Sequence, residues 1–432
     1  MRLTDYNTSL SGMLAAQVGI QTTKQNLSNI HSPGYVRQVV NYSAIGGSQG
    51  YTPEQRIGYG VRTVSVDRVT DEVKTQQYNQ QSSQVSYYSY MNSTLSQVET
   101  MVGSTNENSL SSLMDNFFNG FREVAKNPDQ PNYYNTLIAE TNKFTNQLNR
   151  LAKNFEQAES QVGTDALQHV KEFNRLQSSL AEANKKIGQA GEHAPNQLLD
   201  ERDRIISEMS QYANVEVSYE STNPNIASVR IDGMLIVSGQ DTNPLQVNTM
   251  NNNISVLISG KEMQFQGGTI QAAIDAKNTI AGYQDHLNKL MGSLKDKVNT
   301  VMNKDFFVGT NAKDMHLNPD FEKDISKMKI SVDTANQLAG VGDMQYADGL
   351  THKQSLDKMV VQVATDTNAS GDYKTIHEDL LNGIEQEKTS LEGVNMDEEM
   401  VNLMTYQKYF VANSKAINTM NEVFDSLFSI IR

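Results

Sequence analysis

A heptad repeat of large apolar side chains runs through residues 403–431, and it restricts the possible folds more than any other feature. Apolar residues recur at two positions of each heptad, which is typical of a helix that buries a narrow seam in a coiled coil. Asn413 is a polar member of this seam and can fix the register of pairing. The first seam position holds Leu403, Phe410, Ile417, Phe424 and Ile431, and the second holds Tyr406, Asn413, Met420 and Leu427.

The N-terminal segment has a narrower apolar stripe on a surface rich in Gln, Thr, Ser and Asn. A helix with one narrow seam gains little stability until that seam is covered. We therefore expect the two terminal helices to pair with each other and then with copies from other subunits. The alternative is that each helix packs on its own domain, the commoner fate of an amphipathic helix. The predicted N-terminal seam consists of Tyr6, Leu10, Met13, Ile20 and Leu27.

Breaks in the helical pattern lie beside both terminal segments. In "SPGY", Pro33 disfavours the helical conformation at Ser32, and Gly34 supplies a permissive backbone. Near the other end, Gly393 is expected to terminate one helix and Asn395 to cap the next, whose first turn is acidic. Two such corners predict that both terminal helices leave the body at one place.

The first half of the body is mostly helical in pattern. Residues 36–69 alternate as two strands around a loop that contains Gly and Pro. Residues 70–160 have helical spacing with a break at "KNPDQPNYY", and further helices are expected over 164–190 and 194–212.

The period changes to two at Val215, where several short strands follow with turn residues between them. Asp232-Gly233 is a strong signal for a two-residue hairpin. Helical spacing returns over 268–303 and 352–390, whereas residues 304–350 are mixed.

These patterns predict an elongated, multidomain α+β chain with terminal coiled-coil helices, an α-rich middle that carries a β-hairpin, and a small inserted antiparallel β domain. The predicted units are an N-terminal helix at 1–35, an α-rich core domain at 36–211 and 268–394, the inserted β domain at 212–267, and a C-terminal helix at 395–432.

Composition excludes several classes of function. A formal charge of −14 argues against nucleic acid as the main partner, because phosphate binding needs a basic face. The absence of cysteine excludes disulfides and thiolate metal sites. The N-terminus has no basic stretch before an apolar block, and no segment approaches a membrane span, so we expect a soluble chain without a cleaved signal peptide.

No residue pattern indicates an enzyme. The seven histidines form no His-Glu-x-x-His motif, and no nucleophile elbow or phosphate-binding loop occurs. In "DERDR", Asp200 and Arg204 stand four residues apart, which favours a salt-bridged helix face over a catalytic carboxylate pair. "DTNASGD" at 366–372 is similar to a calcium loop, but His377 stands where the loop needs glutamate, and we interpret it as a turn. We expect no catalytic, cofactor or metal site.

The ends and the middle together resemble one family of bacterial proteins. "LSNIHSPGYVRQ" resembles the Ala-Asn-x-x-Thr-Pro-Gly-Tyr signature of flagellar rod, hook and hook-associated proteins; Asn29, Pro33, Gly34 and Tyr35 match, and serine replaces Ala and Thr. "GVNMDEEMVNLMTYQKYF", from residue 393, resembles the family's C-terminal segment. "NQLLDERDRIISEMSQYANVEVS" and "GGTIQAAIDAKNTIAGYQDHLNKL" are similar to segments that flank the β domain in hook-associated members.

The resemblance implies a structural subunit at the hook–filament junction of the bacterial flagellum. It implies termini that are disordered in the monomer and become helical in the tube. The implied partners are further copies of the chain, the hook protein, the second hook-associated junction protein and a flagellar export chaperone that binds the C-terminal stripe. It also implies an extracellular location, reached through the flagellar type III system, with no cofactor and no nucleic-acid or membrane partner.

Three other interpretations fit less well. A hook or rod protein is disfavoured because "LLDERD" and the long helices that flank 212–267 are not expected there. A secreted axial protein with an enzymatic insert is disfavoured because 212–267 is short and poor in catalytic groups. An unrelated helical adhesin or effector does not need complementary seams at both ends.

The narrow seams predict the pattern of amide exchange in the purified chain. Residues 1–30 and 396–432 are expected to exchange fast and the middle of the chain slowly, because each terminal seam is too narrow to hold its helix firmly. Hydrogen exchange followed by mass spectrometry measures both regions in one sample. Equal protection of the ends and the middle would contradict the interpretation.

Overall fold

The computed structural model describes residues 3–46, 58–103, 109–191, 194–250, 253–345 and 349–431. Its helices are α1 (Leu3–Ser28), α2 (Glu72–Val102), α3 (Leu110–Lys126), α4 (Pro131–Ala190), α5 (Asn196–Tyr212), α6 (Gly268–Met302), α7 (Pro319–Lys323), α8 (Val332–Val341), α9 (His352–Glu392) and α10 (Met396–Ile431). Its strands are β1 (Gln38–Ile45), β2 (Gly60–Arg68), β3 (Glu216–Tyr219), β4 (Ala227–Ile231), β5 (Met234–Ser238), β6 (Asp241–Thr242), β7 (Gln246–Met250), β8 (Asn253–Ile258), β9 (Lys261–Glu262), β10 (Phe307–Val308) and β11 (His316–Leu317).

The predicted fold class is confirmed: long helices form the body, and small antiparallel sheets are attached to it. β1 and β2 form the predicted hairpin after the first helix. The α-rich body packs α2 along α9, α4 along α6 and α3 along α4. Aromatic rings fill the centre of this helical core, where Phe117 lies within 6.0 Å of the rings of Phe144, Phe306 and Phe307.

α4 is one continuous helix of 60 residues, about 90 Å long at the usual rise per residue. The predicted boundary between 160 and 164 is therefore wrong. Buried side chains continue at threes and fours from Tyr134 to Ile187. Gly163 lies within the helix, and a methyl group added there would be 3.4 Å from Ile254 of β8, an ordinary contact. Two cores share this one helix.

The strands between α5 and α6 form two sheets, with the orders β3-β4-β5-β6 and β7-β8-β9. The predicted hairpin turn is confirmed, because Asp232 and Gly233 both have positive φ, at 48° and 72°. The core beneath these strands includes Phe173 of α4 and Ile206 of α5. Because helices and strands share that core, the division at 212 and 267 stays a prediction.

Side-chain amides on the long helices attach the strands by taking the place of a neighbouring strand. Asn184 Nδ2 donates to the carbonyls of Ala227 and Gly239 at 2.8 and 3.0 Å, and its Oδ1 accepts from the Ala227 amide at 3.1 Å. Asn174 makes the same two-way contact with Leu245, at 2.9 Å in both directions. Such contacts satisfy backbone groups that the short strands leave without a partner.

Residues 304–345, which are mixed in pattern, fold onto the far end of α6. Asn299 Nδ2 donates to the carbonyl of Phe307 at 2.9 Å, and its Oδ1 accepts from the amides of Phe306 and Phe307. This contact anchors the small hairpin of β10 and β11. A single 3-10 turn at Ile325–Met328 and the short helices α7 and α8 complete the region.

The interpretation of "DTNASGD" as a turn is wrong, because residues 366–372 lie inside α9. The hydroxyls of Thr367 and Ser370 donate to the carbonyls of Val363 and Asp366, each four residues back, at 2.9 Å. Both side chains are buried against the body. Tertiary packing therefore outweighs the turn preference of these polar residues.

We expect Asn184→Ala to weaken the attachment of the β sheets to α4. The change leaves the buried Ala227 amide and carbonyl and the half-buried Gly239 carbonyl without this partner, which costs about 1–3 kcal/mol of unfolding free energy for an unsatisfied buried group. Urea unfolding and exchange of the Ala227 amide measure the effect. Asn146→Ala, at an exposed position of the same helix, is the matched control. Equal effects of the two substitutions would contradict this role.

Candidate assembly surface

The two terminal helices, α1 and α10, lie against each other in the single chain. A methyl group added to Gly12 would lie 2.9 Å from the side-chain amide of Asn413, and one added to Gly19 would lie 2.8 Å from the ring of Tyr406. These pairs are spaced by seven residues on each helix and run in opposite directions. The helices are therefore antiparallel and meet in heptad register, with larger side chains of α10 resting on glycines of α1.

The structure places most of the predicted C-terminal seam on the side of α10 that is partly covered. Met420 is 8% exposed, whereas Leu427 is 50% exposed. The side chain of Ile431 lies outside the described residues. The role of these residues as an assembly seam stays a prediction. The remaining members, all of intermediate exposure, are Leu403, Tyr406, Phe410, Asn413, Ile417 and Phe424.

α1 turns a different face inward than the one that the apolar stripe suggests. The most buried positions carry small or polar residues, namely Ser9, Ala16, Thr23 and Asn26, at 8% exposure or less. These residues and Gly12 and Gly19 recur at intervals of seven, a signal that a search for large apolar residues misses. The predicted stripe of Tyr6, Leu10, Met13, Ile20 and Leu27 is only partly covered.

The helical state of these ends differs from the expectation that they become helical only in the tube, and the pairing of the two helices argues against the fast exchange that the narrow seams alone predict. Both are helices in the single chain, since each covers one face of the other. Tyr42 of β1 completes the contact, because its ring lies 6.4 Å from that of Tyr406 and its hydroxyl donates to the Ala15 carbonyl. α1 is thus held by α10 on one side and by the hairpin on another.

Asn26 holds the corner after α1 together, although it lies before the family signature. Its Nδ2 donates to the carbonyl of Gln38 at 2.9 Å, and its Oδ1 accepts from the Gln38 amide at 3.0 Å and from the Tyr35 hydroxyl at 2.8 Å. Burial and the nearby carboxylates of Asp200 and Glu399 raise the pKa of Tyr35, so its hydroxyl stays a donor. Tyr35, a signature residue, thus joins helix, turn and strand.

The other signature residues shape the turn itself. Asn29 Nδ2 donates to the Gln25 carbonyl at 2.9 Å, and its Oδ1 accepts from the Ser32 hydroxyl at 3.0 Å. Gly34 has φ of +76°, a conformation that L side chains rarely adopt. Pro33 is exposed and acts by ending the helical conformation.

The two predicted corners meet, as expected from the sequence. The Arg37 amide donates to the carbonyl of Glu392, the last residue of α9, at 2.9 Å. Arg37 also pairs with Glu398 of α10 at 3.3 Å. The predicted cap is confirmed, because Asn395 Oδ1 accepts from the Asp397 amide at 3.0 Å. Both terminal helices therefore leave the body at one place.

A buried charge cluster stands behind this junction. The predicted pairing of Asp200 with Arg204 is wrong: Asp200 Oδ1 lies 2.7 Å from Arg68 Nε of β2, whose Nη2 lies 2.6 Å from Asp203. Arg204 instead pairs with Glu208 one turn on. Burial raises the pKa of Asp200 to about 6, although the Arg68 guanidinium opposes the shift. The cluster ties the hairpin to α5 and lines a cleft of about 920 Å³.

α10 also has apolar side chains on the surface that α1 leaves open. A helix with apolar residues on more than one side needs more than one neighbour. Within the described ranges, no three His, Asp or Glu side chains gather as a metal-binding group, and no helix has an apolar stretch long enough to cross a bilayer. The exposed apolar residues of α10, at 45–57% exposure, include Met396, Met400, Val401, Met404, Tyr409 and Val411.

Gly19→Ala is expected to separate α1 from α10. The added methyl group meets the ring of Tyr406 and the hydroxyl of Tyr42, and such overpacking typically costs about 1–3 kcal/mol. Limited proteolysis of α10 measures the loss of contact. Gly383→Ala in α9 is the matched control, since nothing lies within 4 Å of the added group. Undiminished protection of α10 in Gly19→Ala would contradict the proposed close approach.

Comparison with known proteins identifies related chains. Residues 95–316, more than half of the chain, match the family model described as the flagellar hook-associated protein FlgK helical domain. Residues 386–430 match the C-terminal segment of flagellar basal body rod FlgEFG proteins.

Curated relatives carry the name flagellar hook-associated protein 1. The Bacillus subtilis protein is 26% identical over 56% of this chain and 49% of its own length, so the chain spans about half of that relative. The Salmonella typhimurium protein is 23% identical over 98% of this chain and 99% of its own length.

One solved structure, of the flagellar hook junction protein FlgK from Burkholderia pseudomallei, is 24% identical, with a TM-score of 0.49 over 52% of this chain and 43% of that chain. The family match covers the part of the helical body between the end of α2 and the start of β11. On that match, the chain belongs to the flagellar hook-associated protein FlgK family.

Proposed function

We propose that this chain is a structural subunit of the hook–filament junction of the bacterial flagellum, which joins hook to filament through packing of its terminal helices. The observation that carries the proposal is the α1–α10 pair, whose apolar residues exceed what the two helices cover for each other. Family membership supplies the flagellar setting, and the relatives' names place them with the hook.

Burial of the apolar surface that remains exposed on this helix pair would lower the free energy of the assembly. Removal of apolar area from water contributes roughly 25 cal/mol per Å², and several half-exposed residues on α10 are available for it. On α1, Leu14 is 53% exposed, and the predicted seam residues around it are only partly covered. Neighbouring subunits can cover both helices at once. The single chain therefore has apolar surface that only an assembly of several chains buries.

The predicted units receive corresponding roles. The terminal helices (1–35 and 395–432) form the tube-facing coiled coil, the α-rich core domain (36–211 and 268–394) contacts neighbouring subunits, and the β domain (212–267) faces outward. The contacts that support this layout are the meeting of the two corners at Arg37 and Glu392 and the attachment of the strands to the distal half of α4.

The partners follow from the same surface. We infer further copies of the chain, the hook protein and the second hook-associated junction protein as neighbours, and an export chaperone that covers the apolar faces of α10 before assembly. The location that fits these partners is the extracellular part of the flagellum, reached by flagellar type III export. The role is structural rather than catalytic, in keeping with its flagellar relatives.

Deletion of residues 396–432 is expected to leave a folded body that cannot connect filament to hook. Leu403→Asp and Phe424→Asp test the same contact with single charges, because both side chains lie on the partly covered seam. Swimming motility and electron microscopy of attached filaments are the measurements. The amount of subunit in the medium shows whether export still occurs.

Asn418→Asp, at an exposed position of α10, is the control and is expected to swim normally. Normal filament attachment in the deletion variant would refute the proposed role. Lost motility with Asn418→Asp as well would show that any added charge on α10 is harmful and that the seam is not special.

A further inference from the structure

Three methionines form a ladder on α10. Met396, Met400 and Met404 follow one another at intervals of four, so that their side chains lie one above another along the helix. Their exposed fractions are 53%, 45% and 50%. The side of α10 that is partly covered carries other residues, such as Leu403 and Tyr406. The methionine side chains of the ladder are therefore accessible to small solutes.

Most of the described methionines are in the opposite situation. Met291 in the helical core is fully buried, and Met420, on α10 itself, is 8% exposed. Met344 is exposed at 44% but stands away from the terminal helices, after α8. The chain contains no cysteine, so thiols cannot compete for an oxidant. In the folded chain, oxidation of sulfur is therefore expected mainly at the few exposed methionines.

We propose that Met396, Met400 and Met404 form an oxidation site for hydroperoxides that controls the apolar character of α10. In the reaction, a sulfur lone pair attacks the terminal oxygen of the hydroperoxide and the O–O bond breaks. A sulfoxide forms on methionine, and water or an alcohol leaves. Sulfur is oxidised and the hydroperoxide is reduced, with no other reactant needed.

Oxidation replaces a flexible apolar side chain by a polar one. Three such changes along one strip would give α10 a surface that resists burial, because each sulfoxide oxygen needs a hydrogen-bond partner. The seam towards α1 contains none of these residues, so the α1–α10 pair stays intact. This inference rests on the proposed function. We expect oxidised chains to fail to join the junction, whereas in assembled chains burial protects the three methionines from the oxidant.

The first test maps the oxidation on the purified full-length chain. Hydrogen peroxide is added, and peptides are analysed by mass spectrometry over time. We expect Met396, Met400 and Met404 to be oxidised several-fold faster than Met420 and Met291, and that difference to vanish in denaturant. Equal rates for ladder and buried methionines in the folded chain would overturn the proposal. This measurement does not depend on what the chain assembles with.

The second test measures binding of the purified chain to isolated hooks by co-sedimentation. Peroxide treatment is expected to remove binding of the parent chain but not of the variant M396L/M400L/M404L, because leucine keeps the apolar surface and cannot be oxidised. Met344→Leu is the control and is expected to remain peroxide-sensitive. Equal loss of binding in the parent chain and the triple variant would overturn control by the ladder. Failure of the untreated parent chain to bind hooks would instead count against the proposed function, while the mapping result still stands.

Discussion

The close approach of α1 to α10 is the contact on which the arrangement of the two chain ends depends. Asn413 and Tyr406 can rest on α1 only because Gly12 and Gly19 present no side chain there. That contact brings together segments separated by almost the whole sequence and fixes them antiparallel. The hairpin supports it from the side through Tyr42, and Asn26 fixes the angle at which the chain leaves α1.

Buried and half-buried side-chain amides help to attach the sheets and hairpins of a chain with only 38% hydrophobic residues and a mean hydropathy of −0.53. Asn26, Asn174, Asn184 and Asn299 each give and accept hydrogen bonds with the backbone of a strand or turn. At a sheet edge, such a side chain forms the backbone hydrogen bonds that a neighbouring strand would otherwise form. The short strands and hairpins are thus attached to the long helices through hydrogen bonds of single side-chain amides. This arrangement needs fewer apolar residues than a thick sheet-on-helix core.

The surface of α10 underlies both the proposed role in assembly and the proposed oxidation site. Its heptad seam is partly covered by α1, whereas methionines and other apolar residues on its open side are not covered within the chain. A helix of this kind is stable enough to form in the single chain and still has surface to bury against neighbours. Methionine suits such a surface, since its flexible side chain adapts to different partners, and the same thioether makes the surface sensitive to oxidants.

The sequence by itself determined most element types and the corners, and it predicts the C-terminal seam, because heptad spacing, Asp232-Gly233 and the Pro33-Gly34 break act through local chemistry. It did not reveal that α4 is continuous, that residues 366–372 are helical, or that Asp200 pairs with Arg68, since these depend on contacts between distant segments. The inward face of α1 was decided only by tertiary structure. Glycine and alanine contribute little to a hydrophobic pattern. Their role on α1 is to leave space for Tyr406 and Asn413, and these two partners belong to α10, so the sequence of α1 alone does not reveal them.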